Sequence, residues 1–168
     1  MKLVFISTYP PRECGIGTFT NNLFKSMTIN DHIIDKKESY IIALNDNELN
    51  YQYPEEVKFT IRQEHQRDYL KASKFINLSS AEICILQHEF GIFGGQSGMY
   101  ILPLLHRIEI PLVVTLHTVL KTPSYNEKAV LQEICKMANK IVVMSHKAIE
   151  FLVNIYDVPA EKIALIEH

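Results

Sequence analysis

Residues 2–18 read KLVFISTYPPRECGIGT, and the order of these seventeen residues decides the fold. Lys2–Thr8 is an apolar run rich in β-branched and aromatic residues, as buried strands are. It is too short for a signal-peptide core or a membrane span. Two prolines and a polar stretch follow, then Gly15 and Gly17 just ahead of Thr18. From there Phe19, Leu23 and Met27 recur at steps of four, the mark of a helix running over Thr18–Met27. Strand, glycine turn and helix together open a βαβ unit.

Outward from this unit the same grammar repeats. Strand-like runs lie at Ser39–Asn45, Val57–Ile61, Glu82–Gln87, Leu112–Leu116, Lys140–Met144 and Lys162–Ile166. Their cores (LVFI, ICIL, LVVTL, IVVM) are almost continuously apolar, so these strands are expected to be covered on both faces, as in a parallel sheet. Helical patterns separate them. Gln66–Leu78 turns Tyr69, Ala72, Phe75 and Ile76 inward, Asn126–Ala138 turns Ala129, Ile134 and Met137 inward, and Gly98–Arg107 and His146–Tyr156 complete the set. The expectation is one Rossmann-like α/β domain over residues 1–168: a doubly wound, mostly parallel sheet of about seven strands with helices on both faces. Asn45–Glu56, polar with one proline, is expected as a surface loop.

Composition bounds the function. A chain of 168 residues fits one domain at about 150 residues per domain. With 47% apolar and 21% charged residues it has a globular composition, not a disordered one. A formal charge of −2 argues against a nucleic-acid binder that relies on bulk positive charge. Cys14, Cys84 and Cys135 are odd in number and widely spaced, which argues against a disulfide framework or zinc ribbon and suits a reducing, cytoplasmic location.

Ligands of open parallel sheets bind beyond the carboxyl ends of the strands. Candidate functional residues are therefore sought there. Gly15, Ile16 and Gly17 place helix-terminal amides where a phosphate fits; the alternative is a tight strand-to-helix turn. Thr20 stands where a dinucleotide fingerprint needs glycine, and no Walker lysine follows. His117 closes LVVTLH and suits a donor to a substrate hydroxyl or phosphate, or a base, or else a strand-end histidine held by backbone. His88 opens a loop holding Gly91, Gly94, Gly95 and Gly98, an adaptable binding loop or a flexible connection. His88, His117 and His146 share a rim but lack metal-ligand spacing. Arg67, Lys71 and Lys74, with Arg62 upstream, line one helix face; a solvated face is preferred to peripheral membrane contact.

The ordered set ISTYPPRECGIGTFTNNL, ILQHEFGIFGG, PLVVTLHT and IVVMSHKAIEFL resembles the N-terminal domain of GT-B glycosyltransferases, in particular retaining glycosyltransferase family 4. The resemblance implies one half of a two-domain cleft, on the acceptor side. Gly15, Ile16 and Gly17 would meet the donor diphosphate and His117 would reach the transferred sugar as the catalytic residue. Arg12, His88, Glu89, Gly91, Gly94 and Gly95 would lie beside the acceptor, with Ser145 as a cleft residue. The implied partners are a nucleotide-sugar donor and a glycan, lipid-linked or small-molecule acceptor, with no nucleic acid, no metal and no cofactor. The family's C-terminal donor-binding domain has no counterpart in these residues, so the chain by itself is expected to be inactive. The alternative is a non-catalytic nucleotide- or anion-binding module.

Overall fold

The structure, a computed structural model, describes residues 1–30, 33–46 and 51–167. Seven strands form one sheet: β1 (Leu3–Ser7), β2 (Tyr40–Asn45), β3 (Val57–Arg62), β4 (Ile83–His88), β5 (Leu112–Leu116), β6 (Lys140–Val143) and β7 (Ile163–Leu165). Their spatial order is β3-β2-β1-β4-β5-β6-β7, and every neighbouring pair is parallel. The α/β, Rossmann-like expectation therefore holds. Strand order reverses between β1 and β4, which places the switch point beside the end of β1.

Five α-helices connect the strands: α1 (Gly15–Asn30), α2 (Gln66–Leu78), α3 (Leu102–Leu105), α4 (Tyr125–Met137) and α5 (His146–Asn154). They divide the core in two. On one face α2 to α5 bury Val4, Ile42, Cys84, Leu86, Val114, Ile141 and Val143 against Tyr69, Ala72, Ile76, Leu131 and Leu152. On the other, the smaller cluster of Leu3, Phe5, Ile41, Ala43 and Ile85 is built around Phe24 of α1.

Coverage of the second face is where the sequence reading fails. Among the described residues α1 is the only helix there, because the other helical crossovers all run on the opposite side. An apolar trough of about 440 Å³ remains beside it, lined by Phe19, Leu23 and Met27 of α1 and by Ile85, Val113, Val142 and Met144 of the sheet. The face of α1 that carries Phe19, Leu23 and Met27 thus borders an open trough. The stripe that packs closest is Gly17, Thr20, Phe24 and Thr28.

Two helix boundaries and one buried stripe also need correction. The first helix begins at Gly15, not Thr18, so both glycines lie in its first turn. The helix read over Gly98–Arg107 is instead a 3-10 segment, Gln96–Ile101, followed by the four residues of α3. Ser97 (φ 53°) and Gly98 (φ 76°) are left-handed and Gly95 has a positive φ (74°) with extended ψ, which keeps a regular α-helix from starting before Leu102. In α4 the buried stripe is Val130, Leu131, Ile134 and Cys135, while Ala129 is exposed. That helix opens on a capping box, with Ser124 accepting from the Glu127 amide and the Glu127 carboxylate from the Ser124 amide. In the loop expected over Asn45–Glu56, residues 47–50 lie outside the described residues; Tyr53 donates to Asn45 and Tyr51 to Asp46.

Candidate functional site

The ends of β1, β4 and β5 lie side by side and carry most of the expected residues. Helix α1 is seated tightly on β1. Thr20, fully buried, shares a hydrogen bond with Ser7 (2.7 Å) and donates to the Ile16 carbonyl (2.8 Å). This is why threonine stands where a dinucleotide fingerprint has glycine: the hydroxyl ties helix to strand. A Cβ on Gly17 would lie 3.4 Å from Thr8 Oγ1 and from the Tyr9 nitrogen, in ordinary contact, so helix and strand end leave just enough room here for a methyl group. Gly15, by contrast, has no atom within 4 Å of a built Cβ.

The first turn of α1 already has a local partner. The Cys14 thiol accepts from the Thr8 hydroxyl at 3.4 Å and lies beside the Gly17 and Ile16 amides, whose N–H dipoles favour its thiolate. Burial alone would raise the thiol, but these donors, with Arg12 nearby, outweigh it and hold the pKa below its ordinary value. An incoming phosphate would have to displace the Cys14 side chain from these two amides.

Arg12 is committed to the scaffold. Its guanidinium donates to the Leu44 carbonyl (2.9 Å) and Gln63 Oε1 (3.3 Å), and Nε lies 3.5 Å from the Asp46 carboxylate. It clamps the β1 loop onto the ends of β2 and β3. Glu89 also has partners: one carboxylate oxygen accepts from the Phe90 amide, the other from the Thr118 hydroxyl. It thereby joins the segments that leave β4 and β5.

The glycine loop after β4 is tied down. Gln63 Nε2 donates to the Gly91 carbonyl at 3.0 Å, and the Gly94 amide donates to the Tyr69 hydroxyl at 3.0 Å, which itself donates to the Gln63 carbonyl at 2.8 Å. The Gly95 amide donates to Glu64 at 3.2 Å. Gly94 exists for contact: a Cβ there would fall 1.9 Å from the Gln63 oxygen. Gly91 faces open space.

His88 and His117 have opposite environments. The His88 ring is buried on the side of α2 and α3, stacked on Phe93 (5.8 Å between centroids) and edge-on to Phe90 (5.0 Å). Neither ring nitrogen has a hydrogen-bond partner among the described residues. Burial, and then the neighbouring His117, push its pKa down to about 3, so it is neutral at physiological pH. His88 is therefore a weak base, and its ring is enclosed between Phe90 and Phe93. His117 is half-buried: Nε2 lies 2.9 Å from Gln87 Oε1, the Phe19 ring meets it edge-on at 4.9 Å, and its amide donates to the His88 carbonyl. It lines a second cavity, of about 320 Å³, with Thr118, Met144, Ser145 and Lys147. Ser145 caps α5 by accepting from Ala148, and His146 points away to within 3.9 Å of Glu167. Among the described residues no three His, Cys, Asp or Glu side chains converge to hold a metal. Arg67, Lys71 and Lys74 are exposed, whereas Arg62 forms a bidentate pair with the buried Asp68 (2.7 and 3.0 Å).

The residue that sequence reasoning missed is Gln87. A polar residue one place before His88 in an otherwise apolar strand was its only local signal.

This arrangement defines a Rossmann-like α/β domain with a polar rim at the carboxyl ends of its central strands. A solved structure shares the fold: an alpha-glucosyltransferase in complex with UDP-glucose and DNA containing an abasic site, with a TM-score of 0.56 and 17% identity. The match covers 86% of this chain and 36% of that one, so the chain spans about a third of that protein's length. No family model and no curated protein matches the sequence. No helix among the described residues is long and apolar enough to cross a membrane.

Proposed function

We propose that this chain is the acceptor-side half of a retaining GT-B glycosyltransferase of the family 4 type, acting in the cytoplasm. It would move a hexose from a nucleoside-diphosphate sugar to a hydroxyl acceptor: a glycan, a lipid-linked sugar or a small molecule. The observation that carries the reading is the rim itself, with His117 held beside the first turn of α1 in a fold shared with a glucosyltransferase. In a retaining transfer the acceptor attacks from the face that the diphosphate leaves, and the growing negative charge needs positioned donors. The Gly15, Ile16 and Gly17 amides at the start of α1 would supply part of this, once Cys14 turns aside. His117 would orient the sugar, while the Gly91 side of the tied loop would face the acceptor. Cations would come from an opposing donor domain, and no metal or cofactor enters the scheme.

The half-bare sheet supports such a second body. Covering the exposed parts of Val113, Val142, Met144 and Leu23 would contribute roughly 1 kcal/mol for each side chain. Nucleic acid is not proposed as a partner here, since the net charge is −2. The first turn of α1 at the rim also suits a second reading, a non-catalytic nucleotide- or anion-binding module, which would use its amides and leave His117 without a role. Assaying sugar release from UDP-, GDP- and ADP-sugars by the natural full-length protein separates the two. The transferase reading expects turnover that His117→Ala lowers about a hundredfold, mostly in kcat. Binding without turnover, or full activity in His117→Ala, would point to the module.

A further inference from the structure

We propose that Gln87 is the positioning residue for His117, fixing the ring so that its proton stays on Nε2. Gln87 is fully buried near the end of β4, in register with Thr115 of β5. His117 lies two residues beyond Thr115, and its Nε2 meets Gln87 Oε1 at 2.9 Å. The hydrogen bond from the His117 amide to the His88 carbonyl (3.0 Å) anchors the backbone, and the Phe19 ring limits rotation from the side.

The amide is a poor choice for stability. Its Nε2 is buried and has no hydrogen-bond partner among the described residues. Leaving a buried donor unmet costs free energy, whereas an apolar side chain of the same length would leave nothing unmet. What an apolar side chain lacks is an acceptor for the ring of His117. With its oxygen turned to the ring the amide accepts, so Nε2 carries the proton and in the neutral imidazole the lone pair belongs to Nδ1. The reversed amide would donate to Nε2 and put the proton on Nδ1, the outcome the test below separates. A histidine that orients a sugar needs one tautomer and one ring plane, and Gln87 supplies both. The importance of this for catalysis rests on the transferase reading above; the state of the ring does not.

The test uses the ¹⁵N-labelled full-length protein, with ring nitrogens and ring N–H exchange followed by NMR while the imidazole is neutral. The expected result is a His117 proton on Nε2, protected from exchange. In Gln87→Met this exchange should be about tenfold faster, the factor that one hydrogen bond supplies. Gln87→Glu retains an acceptor and should retain the protection. A wild-type proton on Nδ1, or protection unchanged in Gln87→Met, would overturn the assignment. Should Gln87→Met fail to fold by circular dichroism, the wild-type tautomer and Gln87→Glu still decide the question. In the sugar-release assay Gln87→Met is expected to lower kcat about tenfold with KM unchanged. An unchanged kcat with a disordered tautomer would refute the positioning role. The expected ring state in a protein that consumes no nucleotide sugar would sink the transferase reading while leaving the ring assignment standing.

Discussion

Replacing Gly94 by alanine probes whether the loop after β4 is a fitted part of the scaffold. The added Cβ would lie 1.9 Å from the Gln63 oxygen, 2.8 Å from its carbonyl carbon and 2.7 Å from Tyr100 Cδ2. Ordinary contact begins near 3.4 Å, so two backbone segments must part by about 1.5 Å. That displacement carries the 3.0 Å bonds from Gln63 to Gly91 and from Gly94 to Tyr69 out of hydrogen-bonding range. Each bond contributes about 1 kcal/mol, the buried Gly94 amide loses its acceptor, and strain in an overpacked site adds about 1–3 kcal/mol. The sum is about 3–5 kcal/mol. For a domain of this size each kcal/mol moves Tm by about 2–4 °C, so a fall of about 10 °C is expected in thermal unfolding followed by circular dichroism. Gly91→Ala, with nothing near its Cβ, should melt within about 2 °C of wild type. Equal effects from the two variants, or a Gly94→Ala melting point close to wild type, would refute the reasoning.

Three further outcomes follow from the same geometry. Gly17→Ala should keep the fold and gain up to about 1 kcal/mol from helix propensity, whereas Gly17→Val, pressed against Thr8 and Tyr9, should lose about 1–3 kcal/mol; urea unfolding of both variants measures the difference. Because the folded pKa of His88 is about 3, below the ordinary 6.5, the unfolded chain binds the extra proton first and stability falls as pH drops below 6.5. The slope should approach about 1.4 kcal/mol per pH unit, and urea titrations of His88→Leu should show it flattened. Asp68 is held below its usual pKa by Arg62, so its contribution is present above the ordinary carboxylate value and is lost as pH falls through the lower folded pKa. Asp68→Asn should therefore weaken the protein at neutral pH and blunt its acid unfolding in that lower window.

The strands were legible because short, nearly continuous apolar and β-branched runs leave a strong local signal, and each observed strand lies within a residue or two of the run that announced it. Helix α2 was legible for a similar reason, with Tyr69, Ala72 and Ile76 buried on one stripe. Gly98–Arg107 was misread because its apolar spacing is helical while its backbone is left-handed at Ser97 and Gly98, a property that residue type only hints at. The bare half of the second face depends on strand order, which no single run encodes. In the candidate site, His117 was legible as a polar residue closing a buried strand. The partners that decide what each side chain is able to do were not, because they come from afar: Gln63 for Gly91 and Arg12, Tyr69 for Gly94, Gln87 for His117. Cys14 shows the limit from another direction. Its thiol lies beside the Ile16 and Gly17 amides, yet cysteine is not among the usual helix-cap residues.

The most direct test of the account is titration of the ¹⁵N-labelled 168-residue chain with UDP-, GDP- and ADP-sugars under NMR. If the rim is half of a cleft whose cations come from an opposing domain, as proposed above, the isolated chain should bind at millimolar affinity or weaker. The shifts should gather at Ile16, Gly17, His117 and Thr118, on the rim shared by α1, β4 and β5. Shifts gathered at the opposite edge of the sheet, or micromolar affinity in the isolated chain, would contradict the claim that this rim is one half of a sugar-transfer cleft.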